Sequence, residues 1–98
     1  MARFDVYPAA EYGYLLDVQS DIIDDLNVRA VVPLMPLDIA PKPARRLNPI
    51  FDLGEAPHSM VTQYIASVPK TTLGAPRMNL SDKDEEITAA LDMLFQGF

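Results

Sequence analysis

Polar and apolar residues alternate from Arg3 to Tyr7, the pattern of a half-buried strand, and Pro8 ends it. A short loop through Ala9, Ala10, Glu11 and Gly13 follows. Tyr14 to Ile23 then predicts a second strand, with Leu16, Val18, Ser20 and Ile22 on one face and Leu15, Asp17, Gln19 and Asp21 on the other. The polar link Asp24–Asn27 leads into Val28–Met35, a third strand rich in β-branched residues, so the two strands are expected to pair antiparallel. Pro33 has no N–H to give a ladder, which predicts an edge or a bulge at that position.

Prolines at 36, 41, 43 and 49 make the next segment the least regular. Ile50–Leu53 and Ser59–Ile65 predict further strands around a turn at Gly54–Pro57, and Lys70–Leu73 one more, closed by Gly74. The periodicity then changes. Ile87, Leu91, Leu94 and Phe98 recur at helical spacing with Phe95 beside them. Ser81 and Asp84 have the spacing of a capping box, Asp82, Glu85 and Glu86 add favourable charge to the first turn, and Gly97 is placed to cap the end. The pattern predicts one domain, 1–98, mainly β with one C-terminal α-helix.

With 98 residues, 49% of them hydrophobic, the chain can bury a core, although a second copy would help to stabilise so small a domain. The formal net charge of -6 is the wrong sign for holding phosphates, so no direct nucleic-acid binding is expected of the chain alone. It has no cysteine, hence no disulfide framework and no thiolate site. No run resembles a signal peptide or a membrane span, and a cytoplasmic protein without membrane association is expected.

Candidate chemistry is sparse. The one histidine, His58, lies in a turn-like context and reads as a solvated side chain before a general base. The acidic clusters Asp21, Asp24, Asp25 and Asp82, Asp84, Glu85, Glu86 read as turn and helix-start residues before metal ligands, and four glycines form no phosphate loop. No cofactor and no metal are expected. The basic trio Lys42, Arg45 and Arg46 is either a solvated loop or an anchor for an acidic peptide. Scarcity of catalytic groups points to a binding protein, not an enzyme.

Asp17-Val18-Gln19-Ser20-Asp21-Ile22-Ile23-Asp24 resembles the signature strand of the CcdB plasmid-maintenance toxins. Val32-Pro33-Leu34, Leu47-Asn48-Pro49, Ala66-Ser67-Val68-Pro69 and the ending Leu94-Phe95-Gln96-Gly97-Phe98 match that family in order, and the chain length agrees. The resemblance implies a twisted antiparallel sheet curling into a small SH3-like barrel of the CcdB/MazF/Kid type, a minor three-stranded sheet, and a homodimer. It also implies a type II toxin that binds the DNA gyrase A subunit, traps the gyrase–DNA cleavage complex and is neutralised by a CcdA-like antitoxin. Operator DNA would be met only through the antitoxin complex.

Carried over by position, the gyrase-facing residues are Ile22, Ile23, Asp84, Asp92, Phe95, Gln96, Gly97 and Phe98. The antitoxin-facing residues are Pro8, Ala9, Ala10, Lys42, Arg45 and Arg46. Gln96 stands where the family carries tryptophan, on the side of the helix opposite Ile87, Leu91 and Leu94. Loss of such an exposed aromatic anchor costs about 2 kcal/mol or more, roughly thirtyfold in affinity. Phe98 replaces a smaller aliphatic residue, and Asp92 a neutral amide. Two alternatives stand beside gyrase poisoning: a MazF/Kid-like ribonuclease using Arg29, Arg45, Arg46 and His58, and a non-toxic homologue that has lost its gyrase contact.

Overall fold

The computed structural model describes residues 2–9, 13–54 and 56–97. Among them run seven strands: β1 (Asp5–Pro8), β2 (Tyr14–Asp17), β3 (Val28–Pro36), β4 (Ile50–Asp52), β5 (Pro57–Met60), β6 (Ala66–Pro69) and β7 (Met78–Asn79). One helix follows, α1 (Asp84–Gln96). The strands pair antiparallel in the order β4-β5-β3-β2-β1-β7, with β6 also on β3, as a curled sheet mainly β in class with its single helix at the C-terminus.

β3 is the spine. Its nine residues, five of them apolar and β-branched or long, serve β2 along one edge through Val31–Leu34. The other edge serves two partners, β6 through Val28–Val31 and β5 through Leu34–Pro36. The separate minor sheet implied by the resemblance is therefore part of one hydrogen-bonded system that branches at β3.

Pro33 corrects the expectation of an edge or bulge, since it lies in this central strand, between the β6 and β5 ladders. Its carbonyl accepts from the Val61 N–H at 2.9 Å. In a strand a residue's N–H and C=O point to the same side, so the missing N–H falls on the gap between ladders, where no strand requires it.

Alternation along the strands buries both faces. Val6, Leu16, Val32, Leu34 and Met60 pack with Ile87 and Ala90 of α1 into the main core. Their neighbours Tyr7 and Val31 point the other way, to a small cluster with Leu73. The helix presents Ile87 and Ala90 to the sheet and leaves Phe95 67% exposed.

Several boundaries differ from the expected ones for local reasons. β1 begins at Asp5 because Phe4 takes a positive φ of 71° while buried, held by its N–H to the Asp17 carbonyl (2.7 Å) and its carbonyl to the Leu80 N–H (2.9 Å). A bulky side chain there costs about 1–2 kcal/mol, which the surrounding core offsets. β2 stops at Asp17, and Asp21–Ile23 forms a 3-10 turn because the Ser20 hydroxyl caps the Ile22 N–H at 3.2 Å. The predicted strand 59–65 is β5 followed by a 3-10 turn at Thr62–Tyr64. Lys70–Thr72 is likewise a 3-10 turn, with the Thr72 hydroxyl donating to the Pro69 carbonyl at 2.7 Å.

The capping box is not formed. Ser81–Lys83 makes a 3-10 turn that displaces the helix start to Asp84, whose carboxylate accepts from the Thr88 hydroxyl at 2.9 Å. Asn79 receives the Ser81 N–H instead (2.8 Å). Gly97 does end the helix, at φ 81°, with its N–H on the Met93 carbonyl at 3.1 Å. Among the described residues no helix is long and apolar enough to cross a membrane.

Candidate functional site

Buried Asp17 and Gln19, with the more exposed Ser20, Asp21 and Asp24, fix the shape of the 17–24 segment through their hydrogen bonds. Arg29 of β3 is fully buried, as is Asp17 at the end of β2, and its Nε donates to the Asp17 carboxylate at 2.7 Å. Arg29 Nη1 donates to Asp24 at 2.8 Å, and Nη2 lies 3.9 Å from Asp21. Burial pulls the guanidinium pKa down, but the Asp17 hydrogen bond and the charges of Asp17, Asp24 and Asp21 outweigh it, and the net direction is up.

Gln19 closes the frame. Its backbone N–H donates to Asp17 (3.0 Å), its side-chain amide donates to the Ile23 carbonyl (3.1 Å), and its side-chain oxygen accepts from the Ala30 N–H (3.0 Å). The Asp21 carboxylate accepts from the Arg3 N–H at 2.9 Å, and Lys70 Nζ donates to the Asp24 carbonyl. The expected reading of the acidic cluster as turn residues thus acquires partners for Asp21 and Asp24. What the turn leaves outside is Ile22, 93% exposed, with Ile23 beside it at 45%.

The second group sits at the end of α1. Phe95, Gln96 and Gly97 are exposed, Asp92 is half-buried, and Asp84 is exposed at the helix start. The helix is seated on the core by Ile87 and Ala90. No hydrogen bond or ion pair among the described residues joins this group to the 21–24 turn, so the two are positioned by different parts of the fold. Phe98 lies outside the described residues.

On the third surface, Pro8 is exposed and Ala9 half-buried, while Ala10 lies outside the described residues. Lys42, Arg45 and Arg46 are all exposed. Arg46 has a φ of 66° and sits at the centre of a three-residue turn closed by the Leu47 N–H on the Arg45 carbonyl at 2.8 Å. Buried Asn48 anchors this loop from behind, accepting from the Ala44 N–H (2.9 Å) and donating to the Met60 carbonyl (3.0 Å).

His58 is not the solvated turn residue expected. It lies in β5, is buried, and places Nδ1 at 2.8 Å from the Ala56 carbonyl with its ring 5.4 Å from that of Tyr14. The expectation failed because Pro57 opens a strand instead of a turn. Among the described residues no cluster of His, Cys, Asp and Glu has the arrangement of a metal site.

Arg29 is the residue that sequence reading undervalued, weighing it only as material for phosphate chemistry. The signal was present as a charged side chain flanked by Val28 and Ala30 inside an apolar strand, with three aspartates shortly before it. Such a cation is buried only when paired. A protein-family model described as CcdB protein matches residues 3–97, nearly the whole chain, and includes the signature segment, the basic loop and the helix end described above. The chain belongs to the CcdB family, toxins of toxin–antitoxin systems.

Proposed function

We propose that this chain is a toxin that acts by binding, not by catalysis: it grips the DNA gyrase A subunit, holds the enzyme on cleaved DNA, and is released by a CcdA-like antitoxin. The observation that carries this reading is the display of Ile22, 93% exposed, on a turn braced from beneath by a fully buried arginine. An exposed isoleucine costs solubility and does nothing for the core, and a rigid base loses little entropy when a partner covers it. Ile22, Ile23, Asp84, Asp92, Phe95, Gln96, Gly97 and Phe98 form the gyrase-facing set. In a cytoplasmic homodimer this set occurs twice, matching a two-fold target.

Phe95, 67% exposed, supplies the aromatic area that Gln96 does not. The exposed Lys42, Arg45 and Arg46, with Pro8, Ala9 and Ala10, suit an acidic antitoxin segment through charge-assisted hydrogen bonds. Operator DNA is contacted only within that complex. The ribonuclease reading is the weaker one, because Arg29 has no exposed surface and is engaged by Asp17 and Asp24, and His58 already spends Nδ1 on a backbone carbonyl.

The test is overexpression in a gyrase-sensitive host with assay for covalent gyrase–DNA complexes. Trapped complexes that disappear in Ile22→Asp, with folding retained, are the expected result. A folded wild-type chain that yields none removes gyrase poisoning, and toxicity gained only in Gln96→Trp would favour the non-toxic homologue.

A further inference from the structure

The ends of β1, β2, β3 and β5 meet around an open cleft of about 380 Å³, lined among others by Pro8, Gly13, Tyr14, Pro36, His58 and Arg77. That volume lies within the range of small-molecule pockets, roughly 300–1,000 Å³. The wall at Gly13 is formed by close backbone approach. A Cβ there would stand 2.1 Å from the Leu34 carbonyl oxygen, and the φ of 56° also favours glycine.

Three chemistries converge on the cleft. His58 is 7% exposed and its Nδ1 faces the Ala56 carbonyl at 2.8 Å. A carbonyl oxygen only accepts, so Nδ1 carries the proton and Nε2 of the neutral ring is left as an acceptor. The ring is fixed against Tyr14, tilted by 56°. Arg77 is exposed, its backbone N–H is tied to the Val6 carbonyl at 2.7 Å, and no carboxylate among the described residues pairs with its guanidinium. Its planar fork suits a carboxylate. Pro8, Pro36 and the Tyr14 ring contribute apolar surface to the same cleft, suited to a flat ring.

We propose that this cleft binds an aromatic acid that also bears a hydroxyl or N–H donor, with the carboxylate toward Arg77 and the donor toward Nε2 of His58. A simple acid would satisfy Arg77 and leave the histidine acceptor unmatched; a neutral phenol would do the reverse. The same chemistry is offered by a small free acid or by an aromatic residue beside an acidic one in a peptide. The site lies at the Tyr14 end of β2, whereas Ile22 and Ile23 follow its Asp17 end, so its existence does not depend on gyrase binding; it shares Pro8 with the proposed antitoxin-facing set.

The experiment is an NMR titration of the full, 15N-labelled chain with 3-hydroxybenzoate, 4-hydroxybenzoate and indole-3-acetate, followed by an acetylated, amidated tyrosyl-aspartate dipeptide. Benzoate, without the ring donor, and 4-hydroxybenzamide, without the charge, are the controls. At least one acid is expected to give saturable shifts centred on the amides of Gly13, Ala56 and Arg77. Binding should weaken by about tenfold in Arg77→Gln, stay unchanged in Lys83→Gln, whose exposed side chain belongs to none of the sites above, and be several-fold weaker for both controls. Tighter binding of the dipeptide identifies a peptide ligand and tighter binding of the free acids a small molecule; both uphold the site. Absence of saturable shifts, undiminished binding in Arg77→Gln, equal binding of both controls, or shifts centred on Lys42–Arg46 would each overturn it.

Discussion

The turn that carries Ile22 and the helix end that carries Phe95 each expose an apolar side chain, yet opposite means hold them in place. The turn has no buried apolar residue of its own and rests on hydrogen bonds donated by Arg29, Gln19 and Arg3 and on one accepted by Ser20. The helix end has little polar support beyond the Gly97 N–H and depends on Ile87 and Ala90 packed a few turns away. Apolar packing tolerates exchange of similar volumes. A buried ion pair does not, because whichever of Arg29 and Asp17 loses its partner is left charged without water.

The largest effect expected follows from that difference. Arg29→Met strands the fully buried Asp17 carboxylate and should cost about 3–5 kcal/mol, read by urea unfolding. Adding Asp17→Asn should recover part of the loss by discharging the stranded group. If the single substitution costs less than about 1 kcal/mol, the frame is ornamental and the contrast fails.

A titration sharpens the comparison with a smaller effect. The Tyr7 hydroxyl, 3.4 Å from Asp5, has its pKa pushed up to about 12 by burial first, then by the charges of Asp5 and Asp17, with Arg29 opposing. The folded chain therefore holds this proton more tightly than the unfolded chain. The stabilisation is whole below pH 10 and is lost as pH rises through about 12, a loss of about 2–3 kcal/mol. Unfolding measured across this window should show the decline in the wild type and a flatter profile in Tyr7→Phe.

The smallest effect belongs to the helix end. Gly97→Ala places a side chain at φ 81° and should cost about 1 kcal/mol without disturbing the 21–24 turn. Backbone chemical shifts check this directly: changes confined to the last helical turn support independent positioning, and changes reaching Ile22 contradict it.

The parts of the fold that were legible in the sequence are those governed by local repetition. β3 was visible in its run of β-branched residues and α1 in its helical spacing, and Gly97 was found as the glycine near the end of that helical pattern. The parts that were not legible depend on partners far along the chain. Ser20 and Asp21 continue an alternating pattern, yet the serine hydroxyl turns the backbone and the aspartate bonds to Arg3, eighteen residues away. β7 is two residues long and exists only because β1 lies beside it. The candidate site divided in the same way. The exposure of Gln96 followed from the helical wheel, whereas the inward course of Asp17 and the depth of Arg29 required knowing that the ends of β2 and β3 face each other.

Pro33 has a consequence for how the sheet bends. Strands that share a continuous ladder must follow one another's twist, whereas β5 and β6 leave the spine from separate stretches of it. A residue with no proton to donate at the handover removes the temptation for either neighbour to extend across it. The two wings are thus free to diverge, and a flat sheet gains the curvature that lets one short helix close over it.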